Sequence, residues 1–337
     1  MTTIHDRARG AIIGLAIGDA MGAPTEGMTI SAIREQFGRV TGYLSGDAAG
    51  TDDTEYAVLC AQGVLAEGSA LSAEGVMAHW VRAVSHQKGG FYGAGFSEMV
   101  AISNFIKGVT PPRSGQENYE QWSDGAAMRV APIGIFARGN AAEAARLAGI
   151  DASVSHARDG IYCGQAIAAA VAVAMVSDDF EEVLAAGVGA LPVDSWSYRL
   201  VTRAIELARG AASVVEAENT LYDEISLLHY PWADAGPEAL ALAFGLYAAC
   251  KGDFATVIES SVNIGRDSDT IAAMTGAMAG AMIGYSAIPE AWSAQVIQVM
   301  GRCILSTAGT NLLELADALV ELSPTTAPEN TEEPARV

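Results

Sequence analysis

The chain has 337 residues, half of them hydrophobic and only 18% charged, so it can bury a large core, and wholesale disorder is excluded. Its formal charge of −21 argues against nucleic acid and anionic membranes as partners, because both recruit basic surface. An anionic substrate would have to be drawn in by a local positive feature, such as a metal ion.

Helical signals dominate in chain order. Residues 8–23 carry Ile12, Ile13, Ala16, Ile17, Ala20 and Met21 at helical spacing. Residues 54–68 repeat the pattern and stop at Gly68. Two stretches then read as functional loops: 85–97 (SHQKGGFYGAGFS), rich in glycine and aromatics, and 108–125, rich in Pro, Gly and polar residues. Residues 163–177 are apolar nearly all round, which predicts a helix buried on every side. Residues 178–190 open on acids that suit a helix N-terminus, and 239–250 form another apolar helix. The next, 253–265, starts on a capping Asp253 and ends on Asn263 and Gly265.

The stretch after it is the most unusual. Asp267 and Asp269 stand directly before residues 271–289, which carry no charge at all. That run is long enough to raise the question of a membrane span, but Ala, Gly, Met and Ile make it weakly apolar, and a buried soluble helix is expected. Gly276, Gly280 and Gly284 recur every four residues and predict a smooth stripe for close packing by a neighbouring helix. The tail from Ser323 is poor in apolar residues. The expectation is one all-α domain, a compact orthogonal multi-helix bundle over residues 1–322, with a disordered tail over 323–337. Four scattered cysteines without a CxxC pair read as reduced thiols in a cytoplasmic protein. No secretory signal is read at the start, since the apolar run 11–18 is short and Asp19 ends it.

A second acidic stretch matches the first. Thr51, Asp52 and Asp53 precede one apolar helix, and Asp267, Asp269 and Thr270 open another. Carboxylates and hydroxyls are hard oxygen donors, suited to Mg²⁺, Mn²⁺ or Ca²⁺ rather than zinc. If the two mouths face each other, four carboxylates converge and repel unless cations neutralise them. Asp269 is placed to bridge, and Glu26, after a Gly/Pro break, offers a fifth carboxylate. The plainer reading is that each motif is a helix N-cap with an acidic first turn.

Five segments in this order resemble the ADP-ribosylglycohydrolase family across most of residues 8–290. They are GAIIGLAIGDAMGAPTE, GTDDTEYAVL, DGAAMRVAPIG, SHARDGIYCGQAIAAA and GRDSDTIAAMTGAMAGA. The resemblance implies an all-helical fold with a binuclear Mg²⁺ or Mn²⁺ centre. Its ligands would be Thr51, Asp52, Asp53, Asp267, Asp269 and Thr270, with Glu26 beside the metals. The implied reaction hydrolyses the bond between ribose C1″ and an acceptor side chain and releases ADP-ribose. Asp53 or Asp269 is expected to handle the water and Glu26 to assist at the leaving side.

For the rest of the ligand, Gly93, Gly95 and Phe96 are candidates to bring backbone amides to phosphates. His156 is the candidate contact to ribose or phosphate, and Tyr92 and Trp122 are candidates to stack on adenine. Arg129 reads as a buried, paired packing residue. Where the family commonly reads Gly-Asn-Gly, this chain has Ser123-Asp124-Gly125, and an Asp there opposes a diphosphate. Glu55 also stands where relatives often carry a neutral residue. Three readings stay open: an ADP-ribosyl hydrolase acting on a modified protein, arginine favoured; a hydrolase of a smaller ribosylated metabolite; and a non-catalytic ADP-ribose binder. A monomer or small homo-oligomer is expected, with neither nucleic acid nor membrane as partner.

Overall fold

The computed structural model describes residues 2–84, 87 and 95–324, and among these it is all-α, with no β-strand. The first half comprises α1 (Ile4–Gly22), α2 (Ile30–Phe37), α3 (Asp52–Glu67), α4 (Ala73–Val84), α5 (Phe96–Ile106) and the short α6 (Arg113–Gln116). Next come α7 (Gly125–Arg129), α8 (Ala131–Phe136), α9 (Ala141–Ala152), α10 (Asp159–Ala174), α11 (Phe180–Gly189) and α12 (Trp196–Gly210). The chain closes with α13 (Val214–Ile225), α14 (Gly236–Ala249), α15 (Phe254–Ile264), α16 (Ser268–Ile283), α17 (Glu290–Ser293) and α18 (Leu312–Leu322).

The helices that are apolar on every side form the centre. Helix α16 is buried from Ser268 to Ala281, and α1 is buried from Gly10 to Gly22. They pack against each other more extensively than any other pair. Glycine is the reason they can. A Cβ on Gly14 would stand 2.1 Å from the carbonyl oxygen of Gly276, and one on Gly10 equally close to that of Gly280. A Cβ on Gly22 would meet Asp269 Cα at 2.5 Å. The stripe expected on α16 is thus met by a second one on α1, at Gly10, Gly14, Gly18 and Gly22. Gly284 stands at the end of the α16 stripe: with φ +80° it ends the helix, so the uncharged run leaves the α-helix before Pro289, and its backbone still lies 2.9 Å from where a Gly10 Cβ would stand.

Around this pair, α10 and α14 supply further apolar helices, while α12, α13 and α15 are amphipathic and cover the outside. Amphipathic helices with charged faces, such as α12 with its Ser195 cap, had no counterpart among the apolar runs read from sequence. Asp253 caps α15 as expected and Gly265 ends it at φ +72°, but Asn263 lies within the helix. Its amide instead pins the backbone of Val40, donating to the carbonyl and accepting from the N–H. All four cysteines are buried free thiols. No described helix is long and apolar enough to cross a membrane.

Candidate active site

Both acidic mouths depart from ordinary capping. Thr3, Thr29, Asn140, Asp179, Ser195, Ser213, Asp253 and Asn311 each cap a helix by accepting a backbone N–H. Thr51 before α3 and Asp267 before α16 make no such bond. Their neighbours' carboxylates line a cavity of about 370 Å³ instead. Thr51, Asp52, Asp53, Asp267, Asp269, Thr270 and Glu26 all line it, as do Gly95 and Phe96.

The two mouths touch. Thr270 Oγ1 donates to Asp53 Oδ1 at 3.3 Å. One carboxylate oxygen from each of Glu26, Asp267 and Asp269 lies within 4.8 Å of the others. Asp53 Oδ2 and Asp269 Oδ1 are buried without a hydrogen-bond partner. Such oxygens are costly unless something absent from the chain itself satisfies them. Burial raises the Asp53 pKa well above the usual carboxylate range, with Asp19, Asp269, Asp52 and Asp267 adding to it. Asp269 is raised likewise by burial, then by Asp267 and Glu26, and Asp267 by burial, then by Asp124 and Glu26. Asp52 follows the same pattern, with burial ahead of Asp269 and Asp19. Glu26 is exposed as a residue, yet its carboxyl end is crowded by protein, and that desolvation, followed by Asp19 and Asp234, raises its pKa. The donors are all hard oxygens, the chemistry of a Mg²⁺, Mn²⁺ or Ca²⁺ site.

Three further acids had not been singled out as site residues. Asp19, wholly buried in α1, accepts from the backbone N–H and hydroxyl of both Thr51 and Thr54 and so holds the start of α3. Glu98 on α5 lines the cavity, accepting from Ser97 and from Arg129 Nη1 at 2.9 Å. Asp234, with Trp232, comes from the segment before α14, tied to the loop before α7 by the Asp124 N–H donating to the Asp234 carbonyl. The available signal was a single charge in an apolar helix for Asp19 and Glu98; for Asp234 there was none. Asp124 lines the cavity too, and its Oδ2 and Asp234 Oδ1 are buried without partners. Eight carboxylates therefore line the cavity, and no lysine or arginine does among the described residues.

Other candidates are placed differently. Gly93 and Tyr92 lie outside the described residues. Trp122 does not line the cavity; it packs edge-on against Tyr230 at 5.6 Å, while Phe96 and Trp232 pair at the rim, 5.5 Å apart. His156 does not line it either, being buried with Nε2 on Ser123 Oγ and Nδ1 on Ser155 Oγ. Glu55 faces away from the cavity and accepts backbone N–H groups of Arg302, Cys303 and Ile304. Arg129 is buried and paired with Glu98 and Asp151, as its packing role requires. Arg266 is held by Glu238.

The ADP-ribosylglycohydrolase family model matches residues 1–329. The chain belongs to the ADP-ribosylglycohydrolase family. Family members are glycosidases acting on ADP-ribosylated substrates, and this chain is an enzyme of that class. An uncharacterized protein of Archaeoglobus fulgidus is 34% identical, with the match covering 95% of this chain and all of the relative. The ADP-ribosylarginine hydrolase Tri1 of Pseudomonas putida is 28% identical over 86% of this chain and 74% of its own length. The solved structure of an "ADP-ribosylglycohydrolase-related protein complex" superposes with a TM-score of 0.67 at 24% identity, covering 96% of this chain and 100% of the other, which shows the shared fold.

Proposed function

We propose that this ADP-ribosylglycohydrolase cleaves the bond between ribose C1″ and an acceptor side chain, arginine favoured, at a centre of two divalent cations, Mg²⁺ or Mn²⁺. One observation carries the reading: both acidic mouths present buried carboxylate oxygens without partners to one cavity. Thr51, Asp52, Asp53, Asp267, Asp269 and Thr270 would hold the cations. When bound, these supply positive charge that orients ribose hydroxyls and acidifies a water.

The chain's own groups do the rest. Asp53 or Asp269 takes the proton from the attacking water, and Glu26 at the rim passes a proton to the departing acceptor. Arginine is favoured by charge counting. Of the eight lining carboxylates Glu98 is already paired with Arg129, and two divalent cations offset four more, so negative charge remains even before a diphosphate is added, and a guanidinium suits the remainder. The name of the Pseudomonas putida relative agrees with this choice.

The same carboxylates favour a second reading, a smaller ribosylated metabolite without a diphosphate, because Asp124 and Asp234 oppose one. Calorimetric titration of ADP-ribose into Mg²⁺-loaded protein separates the two, with Asp267→Ala as control. Micromolar binding that vanishes in the variant supports the first reading. No binding to metal-loaded protein rejects it in favour of the second.

A further inference from the structure

Four hydroxyl side chains line the cavity: Thr51, Ser97, Ser123 and Thr270. Three have already committed their hydrogens to carboxylates. Thr51 donates to Asp19, Ser97 to Glu98 and Thr270 to Asp53. Among the described residues Ser123 has one side-chain partner, His156 Nε2 at 3.0 Å, and what that ring nitrogen does decides what the hydroxyl can do.

The deciding group lies two steps back. Arg129 Nη2 donates to Ser155 Oγ at 3.0 Å, and a guanidinium can only donate. Ser155 is fully buried, and among the described residues its hydroxyl has one other side-chain contact, His156 Nδ1 at 2.7 Å. If Nδ1 carried the proton, Ser155 would face two donors, and its own hydrogen would be buried without an acceptor. The network therefore makes Ser155 the donor to Nδ1 and puts the ring proton on Nε2, where it donates to Ser123. Burial, reinforced by Arg129, holds the imidazole pKa well below its usual value, consistent with a neutral ring. Ser123 Oγ is then an acceptor from His156, and its own hydrogen has no acceptor among the described residues. Asp124 Oδ2, in the adjacent residue, stays unpartnered, so Ser123 does not donate to it.

We infer that Ser123 is a ligand-binding hydroxyl, turned into a donor toward the cavity by a directional chain running Arg129, Ser155, His156, Ser123, and that it binds an acceptor oxygen of the ribosyl ligand. His156, Ser155 and Arg129 are positioning residues in this chain and do not touch the ligand. In a cavity lined by eight carboxylates, a neutral donor is the scarce element for holding a sugar or phosphate oxygen. The identity of that oxygen rests on the ADP-ribosyl reading; the polarity of the chain does not.

Two measurements test it. Nitrogen-detected NMR of ¹⁵N-histidine-labelled protein, with His156→Gln to assign the signal, should show a neutral Nε2–H tautomer. A neutral Nδ1–H ring, or a charged one at neutral pH, overturns the chain whatever the ligand. For binding, Ser123→Ala should weaken ADP-ribose by roughly tenfold, the scale of one hydrogen bond. His156→Phe should cost about the same, His156→Gln less because its amide still donates, and Ser123→Ala with His156→Phe no more than Ser123→Ala alone. Unchanged affinity in Ser123→Ala overturns the role of Ser123, and additive losses overturn action of His156 through it. If metal-loaded wild type binds no ADP-ribose, the substrate reading fails, and the histidine spectrum still decides the polarity of Ser123.

Discussion

Thr270 donates its hydroxyl to Asp53 across 3.3 Å, joining two residues 217 positions apart in the chain. The bond ties the first turn of α16 to the first turn of α3 and makes one site of two motifs. Each motif alone would pass for a helix cap. The absence of side-chain capping at both Thr51 and Asp267 separates them from helices such as α1, α12 and α15, which are capped by a side chain. Their acids are free to face the cavity.

The pH dependence of the metal-free protein follows from the raised pKa values of Asp53, Asp267 and Asp269. In the folded chain these acids hold protons above 3.8, their ordinary value, so folding binds protons as the pH rises through that range. The associated stability is present at low pH and is lost as the pH climbs through the raised folded values. Thermal unfolding in chelator should therefore give a lower Tm at pH 8 than at pH 5 in matched buffers. Adding Mg²⁺ or Mn²⁺ should raise the Tm most at pH 8. A metal-free Tm that rises across this window contradicts the prediction.

Asp53→Asn should divide stability from function. It removes a buried like charge and should raise the Tm of the metal-free protein. It should also weaken the metal-induced stabilisation and lower turnover, by about 100-fold or more. Calorimetric unfolding with and without Mg²⁺, beside an activity assay, reads both effects.

Asp19 acts through others, accepting from the N–H and hydroxyl of Thr51 and Thr54. Asp19→Asn places an amide donor against those donors. Divalent-cation affinity should fall by roughly 10- to 100-fold while helicity is retained, as measured by isothermal titration and circular dichroism.

The α1–α16 contact predicts different outcomes for two similar changes. Gly10→Ala drives a Cβ against Gly280 and should cost stability of roughly 1–3 kcal/mol in urea unfolding, with metal affinity unchanged in the folded fraction. Gly22→Ala drives a Cβ against the backbone of Asp269 and should cost metal affinity as well. Equal metal affinity in the two variants would separate the helix contact from the site.

Arg129 is buried between Glu98 and Asp151 and lies 4.8 Å from the Trp80 ring centroid. Arg129→Met leaves both acids unpaired and should destabilise by about 3–5 kcal/mol in denaturant unfolding. Arg129→Lys should rescue only part of this, because an ammonium cannot reproduce the fork that reaches Glu98, Asp151 and Ser155 together.

The sequence by itself determined the parts that are local. Helices α1, α10, α14 and α16 follow from apolar residues on every face, and the hard-oxygen character of TDDT and DSDT follows from carboxylates and hydroxyls placed at helix starts. Those properties depend on periodicity and side-chain chemistry, which a linear chain displays. Only the tertiary structure decided which lone polar residues joined them. Glu98 and Asp234 reach the cavity from two separate segments, and Asp19 in a third holds Thr51 behind it, each a single acid whose neighbours give no hint of the site. His156 was expected at the ligand, but Ser123 stands between it and the cavity. Convergence of this kind is set by how helices cross, and here the crossing depends on glycines facing glycines at Gly10, Gly14, Gly276 and Gly280. The stripe on α16 could be read from its own spacing; its partner on α1 and the closeness of the approach required both helices in place.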